Sequence, residues 1–187
     1  MPVSERERAW LIELLAERSF ERKKVVLASG KESDFFIDCK QTILTAEGHG
    51  LVASLMLDTI EERFADCEAV AGVELGGCPL ASAVSLLSFQ RGNPLPALYV
   101  RKDVKDHGSK KLIEGDKSLK DGLRVVVLED VVTTGGSTLK AIEKLKSVRA
   151  TVIGVIAIVD RLEGGADTLR EAGMPFVAIT TRRNFME

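Results

Sequence analysis

Residues 125–145 read VVVLEDVVTTGGSTLKAIEKL, and their order decides the fold. Val125 to Leu128 form an aliphatic run without polar alternation, the pattern of a central strand covered on both faces. The run ends at Glu129-Asp130, passes Val131-Val132 and the small residues Thr133-Thr134-Gly135-Gly136-Ser137, and enters a predicted helix reaching about Ser147. In an open parallel sheet, ligands bind beyond the carboxyl ends of the strands. Glycines there let backbone amides face an anion, and the hydroxyls of Thr133, Thr134, Ser137 and Thr138 can donate to phosphate oxygens. The helix N-terminus adds positive partial charge. The segment predicts a monophosphate cradle. A Walker A loop needs Lys directly after the last glycine, and a dinucleotide fingerprint needs GxGxxG directly after the strand without an acidic pair. Neither is present. Glu129 and Asp130 suit a sugar phosphate, because carboxylates accept from vicinal ribose hydroxyls and offer negative charge to a cationic sugar transition state.

Outward from this segment the chain alternates. Strands are predicted at 69–75 (AVAGVEL), 97–101 (ALYVR), 124–130, 151–160 (TVIGVIAIVD) and 176–180 (FVAIT). Helices are predicted at about 45–63, 79–89, 137–147 and 166–172. This alternation implies a mostly parallel α/β sheet with right-handed crossovers and helices on its faces. Near the N-terminus, Ser4 and Glu7 form a capping box before Trp10, Leu11, Leu14 and Leu15 at helical spacing. Residues 25–40, VVLASGKESDFFIDCK, read as two short strands joined by a compact loop in a small N-terminal layer. Residues 102–117 break the rhythm with five lysines and His107. Structureless connections of that length are usually functional or disordered.

Composition bounds the rest. At 187 residues the chain predicts one domain. Its 45% hydrophobic and 29% charged residues exclude intrinsic disorder and a disulfide-stapled mini-fold. A net charge of −2 gives no global attraction to nucleic acid or an anionic membrane, so neither is an expected partner. Cys39, Cys67 and Cys78 include no CxxC pair, which fits a reducing cytoplasm. The aliphatic run Val152–Val159 is far short of the ~20 residues that span a bilayer, and a soluble cytoplasmic protein is expected.

The segment at 125–145 resembles the phosphoribosyl pyrophosphate motif of type I phosphoribosyltransferases. Residues 99–115, YVRKDVKDHGSKKLIEG, look like the mobile catalytic loop of the orotate phosphoribosyltransferases among them. SGKESDFFIDCK (29–40), VELGGCPLA (73–81) and IVDR (158–161) stand in the same order, so the resemblance covers nearly the whole chain. It implies a type I phosphoribosyltransferase fold: a central, mostly parallel sheet flanked by helices in one domain, 1–187. About 1–45 contribute to a small hood subdomain and about 46–187 form the core.

The implied reaction is Mg²⁺-dependent transfer of 5-phosphoribosyl from phosphoribosyl pyrophosphate to N1 of orotate. It gives orotidine 5′-monophosphate and pyrophosphate in pyrimidine (UMP) biosynthesis. By resemblance, Arg101, Lys102, Lys105 and His107 contact the pyrophosphate, and Lys102 does so in the active site of a partner subunit, which implies a homodimer. Glu129, Asp130, Val131, Val132, Thr133, Thr134, Gly135, Gly136 and Ser137 hold the phosphoribosyl group. Lys105, His107 and Asp130 are the expected catalytic residues, His107 as an imidazolium beside a polyphosphate. Thr133 and Arg161 are expected to hold orotate, Arg161 bidentately; the alternative for Arg161 is a salt bridge with Glu163 or Asp160. Phe35 and Phe36 occupy the place of the family's base-lining aromatic pair, but adjacent strand residues face opposite ways, so one of them lines the base and the other is core. Mg²⁺ is expected to bind mainly through substrate oxygens, with water-mediated contacts from Glu129 and Asp130. Gly108 and Gly115 are the expected hinges of the loop.

Two positions depart from well-known bacterial members. Leu75-Gly76 stand where a Tyr-Lys pair precedes the Gly-x-Pro turn, and Ala28 stands where a lysine precedes Ser-Gly, with Lys31 nearby. These changes bear on substrate affinity rather than reaction class. Two other readings compete with this one. A transferase for another base is disfavoured by the RKxxKDHG loop, and a non-catalytic sensor of phosphoribosyl pyrophosphate by the intact lysines and the lack of a basic extension.

Overall fold

The computed structural model describes residues 5–26, 32–102 and 112–186, with backbone only for Val25 and Val26. Ser4, the expected helix cap, lies outside the described residues, and helix α1 runs over Glu5–Arg18. The N-terminal layer follows: β1 (Phe20–Glu21), β2 (Val25–Val26), β3 (Glu32–Ser33), β4 (Phe36–Ile37) and the short helix α2 (Lys40–Ile43). The core then alternates α3 (Ala46–Arg63), β5 (Ala69–Val73), α4 (Gly77–Gln90), β6 (Ala97–Val100) and β7 (Ile113–Glu114). It continues with β8 (Arg124–Val132), α5 (Gly136–Ser147), β9 (Thr151–Asp160), α6 (Gly165–Glu171), β10 (Phe176–Thr181) and α7 (Arg183–Met186).

Six strands form one sheet in the order β10-β9-β8-β5-β6-β7. Every pairing is parallel except that of β6 with β7. The aliphatic run at 125–128 lies in β8, between β5 and β9, which is why it carries apolar residues on both faces. Val126 and Leu128 join Val70, Ile156 and Ile158 under α3 and α4. Val125 and Val127 join Ala71, Leu98 and Val155 under α5 and α6, where Ala141, Ile142, Leu145 and Leu169 meet them. Each fully buried aliphatic side chain contributes about 1.5–3 kcal/mol, so these two layers hold the sheet and helices together.

The N-terminal layer shares the first of these cores. Leu11, Leu15, Phe35, Cys39 and Ile43 pack in the cluster that holds α3, α4 and the sheet face. Its strands differ from the two expected. Residues 20–37 form two separate two-residue ladders, β1 with β4 and β2 with β3, both antiparallel. Among the described residues, no helix is long and apolar enough to cross a membrane.

Two boundaries differ from the predicted ones, and one strand has no predicted counterpart, each for a local reason. β5 stops at Val73 because the chain turns back on itself: a Cβ on Gly72 would stand 2.1 Å from the carbonyl oxygen of Gly77. α4 starts at Gly77, so Pro79 lies in the first turn, where a missing N–H costs nothing. β7 has no signature in the sequence, since two residues carry no periodicity. It pairs Ile113 with Val100 and Glu114 with Tyr99, and forms with β6 the stem of the lysine-rich stretch.

Candidate active site

The phosphate loop lies where the sequence predicts, between the end of β8 and the start of α5. Gly135 has φ +81° and caps α5, a conformation that requires glycine. α6 braces the loop from behind: the Gly165 amide donates to the Thr133 carbonyl at 3.0 Å. A Cβ on Gly165 would come within 2.4 Å of Val132 Cγ1, so the close approach depends on that glycine. Thr134, Gly136 and Ser137 are exposed and Thr133 is half-buried. Amides in the first turn of a helix have no intrahelical partner and carry positive partial charge, which suits an anion. One hydroxyl departs from the expectation. Thr138 is buried and donates inward to Glu129 Oε1 at 2.9 Å, so it is not among the hydroxyls that face the cradle.

The alternation of β8 carries on into its acids. Glu129 turns to the α5 side and is 4% exposed, with the Thr138 hydroxyl on its carboxylate. Burial pushes its pKa up to about 8, and the neighbouring Asp130 adds to the rise, against the Thr138 hydrogen bond and the charge of Lys102. Asp130 turns to the other side, toward Gly76 at the start of α4. Burial raises its pKa too, against a hydrogen bond from the Val131 amide. That amide donates to Asp130 Oδ1 at 2.8 Å. The two carboxylates thus diverge rather than form a matched pair.

The turn after β5 and the stem of the lysine-rich stretch close the site on its other side. The Lys102 amide donates to Glu74 Oε2 at 2.9 Å, and the Arg101 amide to the Leu112 carbonyl at 3.0 Å. Arg101 Nη1 pairs with Glu114 Oε1 at 2.9 Å. Its buried Nε has no protein partner among the described residues. Lys102 is exposed and lines a cavity of about 310 Å³ between β5, β6 and α5 of its own chain. Gly115, one of the two expected hinges, has φ +81° and sits tightly on the Ala97 carbonyl, 2.7 Å from where its Cβ would be. Lys105, His107 and Gly108, like Ala28 and Lys31, lie outside the described residues.

Arg161 leaves β9 buried and enclosed. Its Nη2 donates to the Phe35 carbonyl at 2.9 Å and to Ser33 Oγ at 3.3 Å. Its Nε and Nη2 each lie 3.1 Å from Glu163 Oε1. The salt bridge weighed as the alternative is therefore made, with Glu163 as partner. Among these bonds none uses Nη1. The aromatic pair divides as strand geometry requires. Phe35 is fully buried, packed on Phe20 and Phe185 with the Arg161 and Arg182 guanidinium groups 5.5 Å from its ring. It is the core member of the pair. Phe36 stays half-exposed, with Lys23 Nζ 3.9 Å from its ring centroid.

Sequence reasoning missed Glu74 and Lys144 as parts of this site. Helical spacing signals one of them: Ser137, Lys140, Ala141 and Lys144 fall on one face of α5, the face that lines the cavity.

Known proteins share this architecture. Residues 43–172 match the family model described as "Phosphoribosyl transferase domain". The chain is 70% identical to the orotate phosphoribosyltransferase of Sorangium cellulosum (strain So ce56) over 183 residues, 98% of this chain and 94% of that protein. Among solved structures it is similar to Mycobacterium tuberculosis H37Rv orotate phosphoribosyltransferase in complex with 5-phospho-α-D-ribosyl 1-diphosphate. The TM-score is 0.78 and the identity 32%, covering 97% of this chain and 99% of that one. It is likewise similar to the orotate phosphoribosyltransferase from Aeropyrum pernix, with a TM-score of 0.79 and 34% identity over 94% of this chain and 96% of that one.

Proposed function

This chain belongs to the orotate phosphoribosyltransferase family, and from that premise we propose how its residues divide the work of moving a 5-phosphoribosyl group from phosphoribosyl pyrophosphate to orotate. The observation that carries the reading is the end of β8, where a buried and a half-buried carboxylate lead directly into the glycine loop and first turn of α5. The amides of Thr134 to Ser137, with the hydroxyls of Thr133, Thr134 and Ser137, hold the 5′-phosphate. Val131 and Val132 form the floor beneath the ribose.

In the transfer, the bond from C1′ to the pyrophosphate oxygen breaks, and its electron pair leaves with the pyrophosphate. N1 of orotate then forms the new bond to C1′ as its N–H bond breaks, and that proton leaves with the pyrophosphate. Positive charge develops on the ribose and negative charge on the leaving group, so stabilisation is electrostatic. Asp130 faces the cationic ribose, and Glu129 fixes the loop from beneath through Thr138. Arg101, Lys102, Lys105 and His107 take the charge of the pyrophosphate. Arg161 Nη1 and Thr133 hold orotate, and Phe36 is the ring available to its face.

Asp130 supplies hard carboxylate oxygens on the open side of the site and would hold Mg²⁺ through water, whereas Glu129 turns beneath the loop onto Thr138. The ion would supply positive charge against the pyrophosphate. The working unit in this proposal is a homodimer of single-domain chains in the cytoplasm, supplying pyrimidine nucleotide synthesis. Lys102 crosses into the partner's site, turning away from the cavity of its own chain. A mixed dimer with Lys102→Ala on one chain and Arg161→Ala on the other then regains about one working site, and no recovery would mean action in cis.

The direct test follows orotate loss by its near-ultraviolet absorbance with phosphoribosyl pyrophosphate and Mg²⁺, with uracil and hypoxanthine as competing bases. Orotate loss that requires both partners and releases pyrophosphate is expected. Binding of phosphoribosyl pyrophosphate without orotate loss would reassign the cradle to another acceptor or a sensor.

A further inference from the structure

The basic cavity beside α5 looks at first like a second anion site, since Arg101, Lys102, Lys140 and Lys144 all line it. The hydrogen bonds of Lys144 point elsewhere. Its Nζ donates to the Arg101 carbonyl at 2.7 Å and to the Lys102 carbonyl at 2.5 Å. These carbonyls lie just past the end of β6, where sheet pairing has run out. From the opposite side, Glu74 Oε2 accepts from the amide of Lys102. One peptide unit is therefore gripped at both its N–H and its C=O, by an acid after β5 and a lysine on α5.

We propose that Lys144 is a positioning residue for the transfer reaction: it fixes the backbone of Lys102 and so aims the Lys102 side chain at the pyrophosphate. The inference rests on the assignment of Lys102 to that leaving group made above. Three features support it. The stem below Lys102 is a ladder of only two residue pairs, Tyr99 with Glu114 and Val100 with Ile113, too short to set the direction of the following residue by itself. Hydrogen bonds from an ammonium are about twice as strong as neutral ones, so two of them outweigh the last rung of that ladder. The holder is also rigid. Lys144 stands on α5, a helix anchored against the sheet by the buried side chains of Ala141, Ile142 and Leu145, so its stem is carried by a packed element.

A double-mutant cycle in the full-length protein tests this, with kcat, KM for each substrate and thermal midpoint measured for Lys144→Met, Lys144→Arg, Lys102→Ala and the Lys102→Ala/Lys144→Met pair. Lys144→Met is expected to lower kcat about tenfold while leaving KM for orotate and the thermal midpoint near wild type, and Lys144→Arg is expected to recover most of the loss. In the Lys102→Ala background, Lys144→Met should cost less than about twofold, because the group it positions is gone. Wild-type kcat in Lys144→Met, or losses that multiply independently in the pair, would overturn the proposal. A fully active Lys102→Ala protein would instead refute the assignment of Lys102, a different result from either.

Discussion

Gly76 and the carboxylate of Asp130 share one small volume: a Cβ on Gly76 would lie 2.0 Å from Oδ2 and 2.3 Å from Cγ. The turn after β5 and the end of β8 therefore meet as closely as they do because residue 76 has no side chain, and any side chain placed there would displace that carboxylate. The atoms in the way are the end of a side chain that can rotate, so the effect falls on the site more than on the fold. Gly76→Ala is expected to lower kcat/KM about tenfold or more while costing about 1 kcal/mol of stability or less. An alanine variant with wild-type kinetics would show that Asp130 works equally well from another rotamer.

Glu129 gives stability a definite dependence on pH. Its folded-state pKa, pushed up to about 8 from 4.5 chiefly by burial, means that the folded chain holds this proton more tightly than the unfolded chain. The group's stabilising contribution is therefore complete below about pH 4.5 and is lost as pH rises through 8. Asp130 is shifted in the same direction, also by burial. The thermal midpoint is expected to fall between pH 5 and pH 8.5, and Glu129→Gln to flatten that fall. Parallel curves for the two proteins would mean that Glu129 is ionised in the folded state throughout.

Arg161 is bound on three sides before any substrate arrives. Replacing it with alanine removes the main partner of Glu163 and of the Phe35 carbonyl, leaving Arg182 near the acid and Ser33 near the carbonyl, at a cost of about 2 kcal/mol, along with most orotate affinity. Glu163→Gln keeps an acceptor in place. It is expected to raise KM for orotate severalfold while leaving KM for phosphoribosyl pyrophosphate unchanged. Equal changes in both values would deny Arg161 a specific part in holding orotate.

The two adjacent phenylalanines should separate cleanly by assay. Phe35→Ala empties a fully buried site against Phe20 and Phe185 and is expected to cost about 3–5 kcal/mol, visible in denaturant unfolding. Phe36→Leu leaves the core intact and should change stability by less than about 1 kcal/mol while weakening orotate binding. The reverse pattern would exchange their roles.

How much of this could be read beforehand depends on range. The long strands and the cradle announce themselves within twenty or so residues, because Val125 to Leu128 and Val152 to Val159 are too apolar for anything but a covered sheet. The divergence of Glu129 and Asp130 was legible too: the alternation that separates Phe35 from Phe36 applies equally to two acids on a strand. The grip of Lys144 on Arg101 and Lys102 was not legible, since it joins residues more than forty positions apart and depends on how α5 settles against β6. β7 and the hood ladders escaped because two-residue strands are set by their partners, not by their own pattern.

The two-residue strand β7 has a consequence for more than turnover. It is the outermost strand of the sheet, and it covers Tyr99 and Val100 on the side where β6 would otherwise present bare backbone. Gly115, tucked against the Ala97 carbonyl, extends that cover toward the start of the strand. The apolar sequence Ala97-Leu98-Tyr99-Val100 on an open edge is a template for strand addition by another chain. β7 is thus also the guard rail of the sheet, and a variant whose strand β7 no longer pairs with β6 would be prone to self-association.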